Sequence, residues 1–523
     1  MYAIDLFCGA GGFSEGIIQA GFHIVFSSDR SEHVMATYMN RHEQLGLING
    51  ENTHFELADV RDLDGELIFN RINSLPIFLD NSLNAGAIDA IFGGPPCQGF
   101  SRAGRKDPND PRNMLFHEYV RIISEVEPRY VVMENVEGFM DTKLTDFRSL
   151  QEDVVYAGEH FVSDILQNEL NLIGYNVLQP QILNAADYGV PQRRKRAIFI
   201  AYRNGEREPC YPVPTTPEEH QKVTVLQAIG DLIINGGQPE IDNRDYINAS
   251  MIGRTPDTEG GPLRGSRTPL NHETSTHSIN IIERFSLFRQ GESAKKLENR
   301  IRTEGINLAE FPTLLMECTF NANINMNREI LKNLASEFEL NINTDANLWL
   351  VNTSKLLATM FLAENRDGMT ELSKLMLKLK DRLKCTEDQA ADFYVQCRNR
   401  LNTNITADEI INRFAEGNVD SELMKSLLTK KNSRIKLDGN KISPTMLTLP
   451  DDFIHPYEAR ILSVREMARL QSFDDSFEFL GKRTTGGTLR GQEVPQYTQV
   501  GNAVPPLLAR AIASEIMNAL NLN

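Results

Sequence analysis

The chain has 523 residues, 41 % of them hydrophobic and 24 % charged, with a formal net charge of −17. That length exceeds a single core and calls for two or three domains; the composition is that of an ordinary soluble globular protein, and no apolar run reaches the roughly 18 residues of a membrane span. The acidic total argues mildly against nucleic acid as a partner, although a local basic face can coexist with it, and six scattered cysteines without a CxxC pair argue against a zinc site or a disulfide framework.

The N-terminus, MYAIDLFCGAGG, reads as a strand and a turn. It lacks the basic start and apolar stretch of a signal peptide, which places the protein in the cytosol. Residues 1–205 then alternate apolar runs with helix-like segments. YAIDLF, HIVFSSD, AIDAIFGG, RYVVMENV and RAIFIAY are strand candidates, and NMLFHEYVRIISEVEP between them has helical periodicity. The pattern predicts an α/β fold with a mostly parallel sheet and helices on both faces. Such sheets bind ligands beyond the carboxyl ends of their strands. DLFCGAGG, GGPPC and ENVEG all fall at strand ends, so they converge on one rim.

Residues 206–291 are rich in Gly, Pro, Asn and Thr, as in GRTPDTEGGPLRGSRTPLNH, and read as loops. Residues 292–430 form an α-helical insertion of amphipathic segments such as NLWLVNTSKLLATMFLAE and EDQAADFYVQCRNRLN, and no chemistry is evident in them. Residues 431–490 regain turn and strand character and include a helix, SVREMARLQSF, whose Ser463 and Glu466 make a capping box. Residues 491–523 are a loop feeding a last helix.

Three stretches carry chemistry. In DLFCGAGGFSEG the glycines let the backbone approach a ligand, and the helix start favours electronegative groups. Its spacing is neither GxGxxG nor a P-loop. Asp29 ends the next strand, where an acid can bond ribose hydroxyls, and Asp59 at a third strand end can bond an adenine amine. Together they point to an adenosine-type cofactor without a phosphate cradle. Cys97 follows two prolines and precedes the Gly99 to Gly104 segment with Arg102, Arg105 and Lys106 nearby, a setting that favours a thiolate nucleophile over a core cysteine. Glu134 ends an apolar strand, where a carboxylate needs a task or a partner. In QRRKRAIFI, alternation sends Arg194 and Arg196 to one face and Arg193 and Lys195 to the other.

DLFCGAGGFSEG, GGPPCQGFS, DPRNMLF, ENVEG, LNAADYGVPQRRKR, HPYEARILSVREMARLQSF and QVGNAVPP, in this order, resemble the DNA (cytosine-5) methyltransferases that use S-adenosyl-L-methionine. The resemblance covers roughly residues 1–200 and 434–523. It implies a Rossmann-like catalytic domain over 1–205 completed by 491–523, and a smaller target-recognition domain over 206–291 and 431–490 that carries the 292–430 insertion. It implies that Cys97 adds to C6 of a cytosine, that Glu134 holds N3 and the exocyclic amine, and that Arg194 and Arg196 bond O2. The cofactor residues it implies are Phe7, Gly9, Gly11, Gly12, Asp29, Asp59, Leu115, Asn502 and Ala503. Many relatives have an aromatic residue where this chain has Arg30, whose guanidinium plane can replace it over the adenine.

The resemblance further implies double-stranded DNA as substrate and a flipped base. The segment after Cys97, with Gln98, Ser101, Arg102 and Arg105, would close on that base near the phosphates. For reading the sequence, the 250–272 stretch with Arg254, Arg264, Arg267 and His272 is the first choice and 430–448 the second. The helical insertion either widens the DNA clamp or binds another protein. A monomer is expected, since flipping one base needs one active site, and no metal is expected. Both the modification half of a restriction system and a solitary methylase fit. A transfer-RNA enzyme fits less well, because that branch departs from CQGFS and lacks a large recognition region. A non-catalytic DNA-binding relative would have lost Cys97, Glu134 or the Gly-rich turn, and a dinucleotide enzyme would show GxGxxG.

Overall fold

The computed structural model describes residues 1–96, 114–150, 154–235, 237, 239–343, 347–364, 369–429, 433–485 and 492–522. The apolar runs near the N-terminus form parallel strands β1 (Tyr2–Leu6), β2 (His23–Asp29), β3 (His54–Leu57), β4 (Ala90–Gly93) and β5 (Tyr130–Val136). Ile4, Ile24, Val25, Ile91, Val131 and Val132 are buried, which is why these strands read as continuous apolar runs rather than alternating ones. A separate hairpin follows, of β6 (Lys143–Arg148) and β7 (Val155–Phe161), and then β8 (Tyr175–Val177), β9 (Gln181–Asn184) and β10 (Lys195–Arg203).

The sheet runs β3-β2-β1-β4-β5-β10-β8, with β9 also paired to β10. Pairings from β3 to β5 are parallel, whereas β10 is antiparallel to β5, β8 and β9. The expected mostly parallel α/β sheet is observed. Helices Gly65–Asn73, Leu115–Val126 and Val162–Leu172 pack on one face, in a core with Ile4, Leu6 and Ile91. Helix Gly12–Gln19 lies on the other face with the last helix, Pro506–Asn521, packed along it. A Cβ on Gly16 would come within 2.4 Å of Ala509 Cβ, so the two helices touch only because that residue has no side chain.

By packing, the described chain divides into two compact units. One comprises Met1–Thr274, Asp438–Pro450 and Leu462–Asn523; the other comprises Ser275–Leu437 and Asp451–Ile461. The loop-rich residues up to 274 therefore pack with the sheet. Their anchors are polar: Tyr246 Oη donates to Arg469 O at 2.5 Å, and Asn271 exchanges two hydrogen bonds with the Phe479 backbone. In the same unit, Ser463 Oγ accepts from Glu466 N at 3.1 Å and Glu466 accepts from Ser463 N at 2.7 Å, the expected capping box.

The second unit is helical, with a short parallel pair of β11 (Ile435–Lys436) and β12 (Phe453–Ile454). Helices Asn347–Glu364, Met369–Leu383, Glu387–Arg400 and Ser421–Leu428 fall where the amphipathic segments place them. Helices Ile279–Ser286, Ala294–Glu304, Pro312–Ala322 and Ala407–Ala415 were not singled out from sequence. The unit holds two apolar cores, one around Leu297, Leu314, Phe414 and Leu427 and another around Leu334, Leu357, Leu379 and Phe393. Among the described residues no helix is long and apolar enough to cross a membrane, and no cluster of side chains could hold a metal ion.

Candidate active site

The strand order reverses between β1 and β4, and this is where an open α/β sheet forms its ligand crevice. The chain leaves β1 for helix Gly12–Gln19 on one face, and β4 is followed by helix Leu115–Val126 on the other. The ends of these two strands part and leave a cavity of about 880 Å³. Because β10 is antiparallel, its amino end reaches the same rim as the carboxyl ends of its parallel neighbours. That is how the basic cluster before β10 meets the Gly-rich turn after β1.

The turn itself is shaped by left-handed backbone. Gly11 (φ 97°) precedes helix Gly12–Gln19, in a region that most side chains avoid. Gly12 is needed for a different reason: a Cβ there would lie 2.4 Å from Val504 O. The Asn502–Val504 segment thus closes directly over the helix start. Phe7, Gly9, Gly12, Asp29, Asp59, Leu115, Asn502 and Ala503 all line the cavity, as does the exposed Arg30. Gly11 is not in the lining; it sets the direction of the turn.

The two acids differ in state. Asp29 accepts from Gly9 N at 3.1 Å and Ser31 N at 2.9 Å, so it ties the turn to β2. Burial nonetheless pushes its carboxyl above the usual range. Asp59 is gripped by Arg61 through Nε at 2.8 Å and Nη2 at 2.7 Å, which holds its carboxyl down at about 2.

On the opposite wall, Glu134 is buried near the end of β5, with Oε1 2.5 Å from Arg196 Nε. Asn135 donates to Pro95 O at 3.2 Å and so fixes the chain leading to Cys97. Arg194 is 2 % exposed and, among the described residues, no carboxylate forms an ion pair with it. Its Nη1 and Nη2 reach only Met446 O and Asn502 O, each at 3.4 Å, and Nε has no hydrogen-bond partner. Burial, with the Arg196 charge beside it, pushes the Arg194 guanidinium well below its ordinary range. Arg194 is in the cavity lining, where a guanidinium held by such long bonds suits an acceptor on a ligand. Arg193 and Lys195 also line the cavity, so the expected alternation does not separate the two pairs; β10 begins only at Lys195, which leaves Arg193 and Arg194 outside its pleat.

Cys97, Gln98, Ser101, Arg102 and Arg105 lie outside the described residues. Of the residues named for reading DNA, Arg254 is corrected. Its Nη1 lies 2.5 Å from Asp474 Oδ1, its Nη2 donates to Tyr246 O and Ser250 Oγ, and its guanidinium sits 4.7 Å from the Tyr246 ring centre. A group so committed is a brace. His272 is likewise internal, bonded to Ser463 Oγ and Leu232 O. Arg264 and Arg267 are exposed. The loop that carries them starts far from the cavity, however. Thr258 N donates to Leu45 O, just past helix Glu32–Gln44, which leads from the end of β2 back toward the start of β3. That contact is on the edge of the sheet opposite the active rim.

The 430–448 stretch, the second choice, does reach the site. Thr445, Met446, Leu447 and Thr448 line the cavity. They are held there by Gln192, which is fully buried: its Oε1 accepts from Met446 N, and its Nε2 donates to Leu470 O and Gln471 Oε1. Gln471 passes the bond on to Val500 O. A relay of two amides therefore joins four distant segments, and sequence reasoning missed it. Its only trace is a glutamine beside each of two motifs.

The family model described as C-5 cytosine-specific DNA methylase matches residues 1–518. Curated relatives include the type II methyltransferase M.DdeI of Desulfomicrobium norvegicum, 25 % identical over 99 % of this chain and 88 % of the relative. M.AgeI of Thalassovita gelatinovora is 26 % identical over 100 % of both chains. M.XorII of Xanthomonas oryzae pv. oryzae is 28 % identical over 99 % of this chain and 84 % of the relative. Among solved structures, a DNA modification methyltransferase encoded within an E. coli prophage shares the fold, with a TM-score of 0.53 at 21 % identity over 100 % of this chain and 99 % of that one.

Proposed function

Because this chain belongs to the C-5 cytosine-specific DNA methylase family, we propose how its own residues carry a methyl group to C5 of cytosine in DNA. Cys97 is the nucleophile. Its thiolate adds to C6 of a cytosine turned out of the duplex, and the new S–C6 bond makes C5 electron-rich. Glu134 bonds N3 and the exocyclic amine and shares a proton there, so negative charge does not collect on the ring. Arg196 and Arg194 donate to O2 and stabilise the same intermediate. Once C5 carries the methyl, its proton leaves to a base, the electrons return to the ring, and the S–C6 bond breaks.

S-adenosyl-L-methionine, when bound, supplies the electrophilic methyl. Phe7, Gly9, Gly11, Gly12, Asp29, Asp59, Leu115, Asn502 and Ala503 would hold it. The fit rests on the close approach of Val504 to Gly12 and on the carboxyl groups of Asp29 and Asp59 in the cavity lining at the ends of β2 and β3. Gln98, Ser101, Arg102 and Arg105 contact the DNA beside the flipped base. The chain works as a monomer at a short specific sequence, and the type II names of its relatives support the modification half of a restriction system as its setting.

One observation carries this reading: the Glu134–Arg196 pair and the unmet Arg194 Nε share a rim with Pro95–Pro96. The test uses purified protein, tritiated methyl donor, mixed-sequence duplex DNA and bulk transfer RNA, with wild type and Cys97→Ser in parallel. 5-Methylcytosine in DNA that disappears with Cys97→Ser supports the assignment. Label in RNA alone, or label unaffected by Cys97→Ser, overturns it.

A further inference from the structure

Behind the Gly-rich turn, on the side away from the cavity, lies a carboxyl group that the mechanism does not use. Asp5 is the fourth residue of β1 and is 1 % exposed. Its Oδ2 is 2.5 Å from Ser14 Oγ, in the first turn of helix Gly12–Gln19. Its Oδ1 is buried without any hydrogen-bond partner. Ser14 in turn meets Tyr38 Oη at 3.3 Å. Asp5 pairs in register with Ser27 of β2.

The groups around it are all acids or neutral. Cys8 in the turn, Asp29 at the end of β2, Tyr38 on helix Glu32–Gln44 and Tyr119 on helix Leu115–Val126 are its electrostatic neighbours. His42, whose ring lies tilted against Tyr38 with centroids 4.0 Å apart, is held neutral by burial, with its pKa down at about 3. No cation among these groups balances an Asp5 anion. As placed, Ser14 Oγ donates to Oδ2, and that single bond leaves a buried carboxylate with one free oxygen, which is costly; a neutral acid avoids that cost and keeps the contact by donating to Ser14 Oγ, whose own hydrogen then turns to Tyr38 Oη. Burial pushes the Asp5 carboxyl up to about 7, with Asp29 adding to the rise and Ser14 opposing it.

We propose that Asp5 is a positioning residue that works as a neutral carboxylic acid: bonded to Ser14, it ties the end of β1 to the start of helix Gly12–Gln19 and so holds the intervening turn in its donor-binding form. The proposal rests on the reading of the cavity as the methyl-donor site. Ionisation breaks this arrangement, because the charged group gains by letting water in. Opening there moves both ends of the Phe7–Gly11 turn. Donor affinity is therefore coupled to one proton that the donor itself never touches.

The probe is S-adenosylhomocysteine, which lacks the sulfonium charge, so attraction to an Asp5 anion does not mask the effect. Its dissociation constant is measured by calorimetry from about pH 6 to about pH 8.5. Wild type should weaken about tenfold across that range. Asp5→Asn, which keeps the donor to Ser14 but cannot ionise, should bind with constant affinity close to the acid-side value. Wild-type affinity that is flat with pH, or Asp5→Asn affinity that still falls, overturns the proposal.

Melting of the same proteins without ligand gives a second readout. The native state keeps a proton that the unfolded chain loses near its usual 3.8. This group's contribution to stability is therefore full below that value, is lost as pH rises to about 7, and is flat beyond. Asp5→Asn should lack that slope. If wild type binds no S-adenosylhomocysteine at any pH, the donor-site reading fails, and the melting comparison still decides whether Asp5 is neutral.

Discussion

The two units differ in how deeply they bury arginine. In the sheet unit, Arg41, Arg194, Arg465 and Arg469 are among the largest fully buried side chains described. In the helical unit the cores are mainly leucine, isoleucine, phenylalanine and alanine, and its buried Arg284, 3 % exposed, lies on the less buried Glu317. Taking a guanidinium out of water costs several kcal/mol unless it is paired, so each buried arginine needs a reason. Three have one in hand. Arg41 lies on Glu15 through Nε at 2.7 Å and Nη2 at 2.9 Å. Arg469 lies on Asp475 and Asp231. Arg465 donates to the Leu270, Asp474 and Phe477 carbonyls. Among the described residues, Arg194 has no acid and an unmet Nε. The three met arginines brace the fold, whereas Arg194, in the cavity lining, is one we propose for the reaction.

Glu134→Gln attacks the reacting side of that contrast and should have the largest effect. The amide keeps the shape but cannot share a proton in the same way, so the methylation rate should fall about 10²–10⁴-fold with little change in melting temperature. Radioactive transfer and thermal unfolding on the same sample check both halves. A rate within threefold or so of wild type would remove Glu134 from the chemistry.

Arg194→Met and Arg469→Met divide the arginines directly. Removing Arg194 discards a buried charge with no partner, so stability should hold or rise, while the rate falls about 10²-fold. Removing Arg469 leaves Asp475 and Asp231 facing each other without a cation, and should cost about 3–5 kcal/mol of stability. Urea unfolding beside single-turnover methylation separates the two. If Arg194→Met destabilises as Arg469→Met does, the distinction between brace and reactant is wrong.

How far this was legible in the sequence follows the same line. The strands of the rim were readable because they are buried on both faces and rich in Ile, Val and Phe. Phe7, Asp29, Glu134 and Arg194 could be brought to one rim from the sequence because they sit at or beside the ends of those strands, and all four line the cavity. Gln192 and Gln471 were not: two amides that together bond four backbone groups look like any surface glutamines until the chain is folded. Arg254 misled for the converse reason, since an arginine in a Gly- and Pro-rich loop has the composition of a DNA contact, and only Asp474, 220 residues away, shows it to be a brace. In the helical unit, Asn347–Glu364 was readable from its length and apolar content although its apolar residues are spread around the helix, whereas Ile279–Ser286, strongly one-sided but only eight residues long, was missed between flanking loop residues.

Leu379→Ala tests the other side of the comparison. Leu379 is fully buried in the second core of the helical unit. Its truncation should cost about 2–5 kcal/mol. The methylation rate per folded molecule should stay the same, because no side chain of the reaction is touched. Active-site titration with a mechanism-based cytosine analogue in duplex DNA gives the folded, competent fraction. A rate per competent molecule that falls with stability would make the helical unit part of the catalytic apparatus.

Two capping boxes give the finest version of the contrast. Thr386 and Gln389 cap helix Glu387–Arg400 in the helical unit, and Ser463 and Glu466 cap helix Val464–Leu470 in the sheet unit. The local chemistry is the same: a hydroxyl accepts the third backbone N–H, and the third side chain reaches back. Thr386 is exposed, so water takes over when its hydroxyl is removed, and Thr386→Ala should cost about 0.5–1 kcal/mol. Ser463 is 1 % exposed, and its hydroxyl also meets His272 Nδ1 at 2.9 Å. Ser463→Ala therefore strands both Glu466 N–H and an imidazole nitrogen away from water, and its cost should rise to about 2 kcal/mol. His272 bridges to Leu232 through its other nitrogen, so the loss spreads into the polar scaffold of the sheet unit, whereas the Thr386 cap stands alone. Chemical denaturation of the two variants measures the difference. Equal costs would mean that burial of polar groups adds nothing to the sheet unit beyond what its helices need locally.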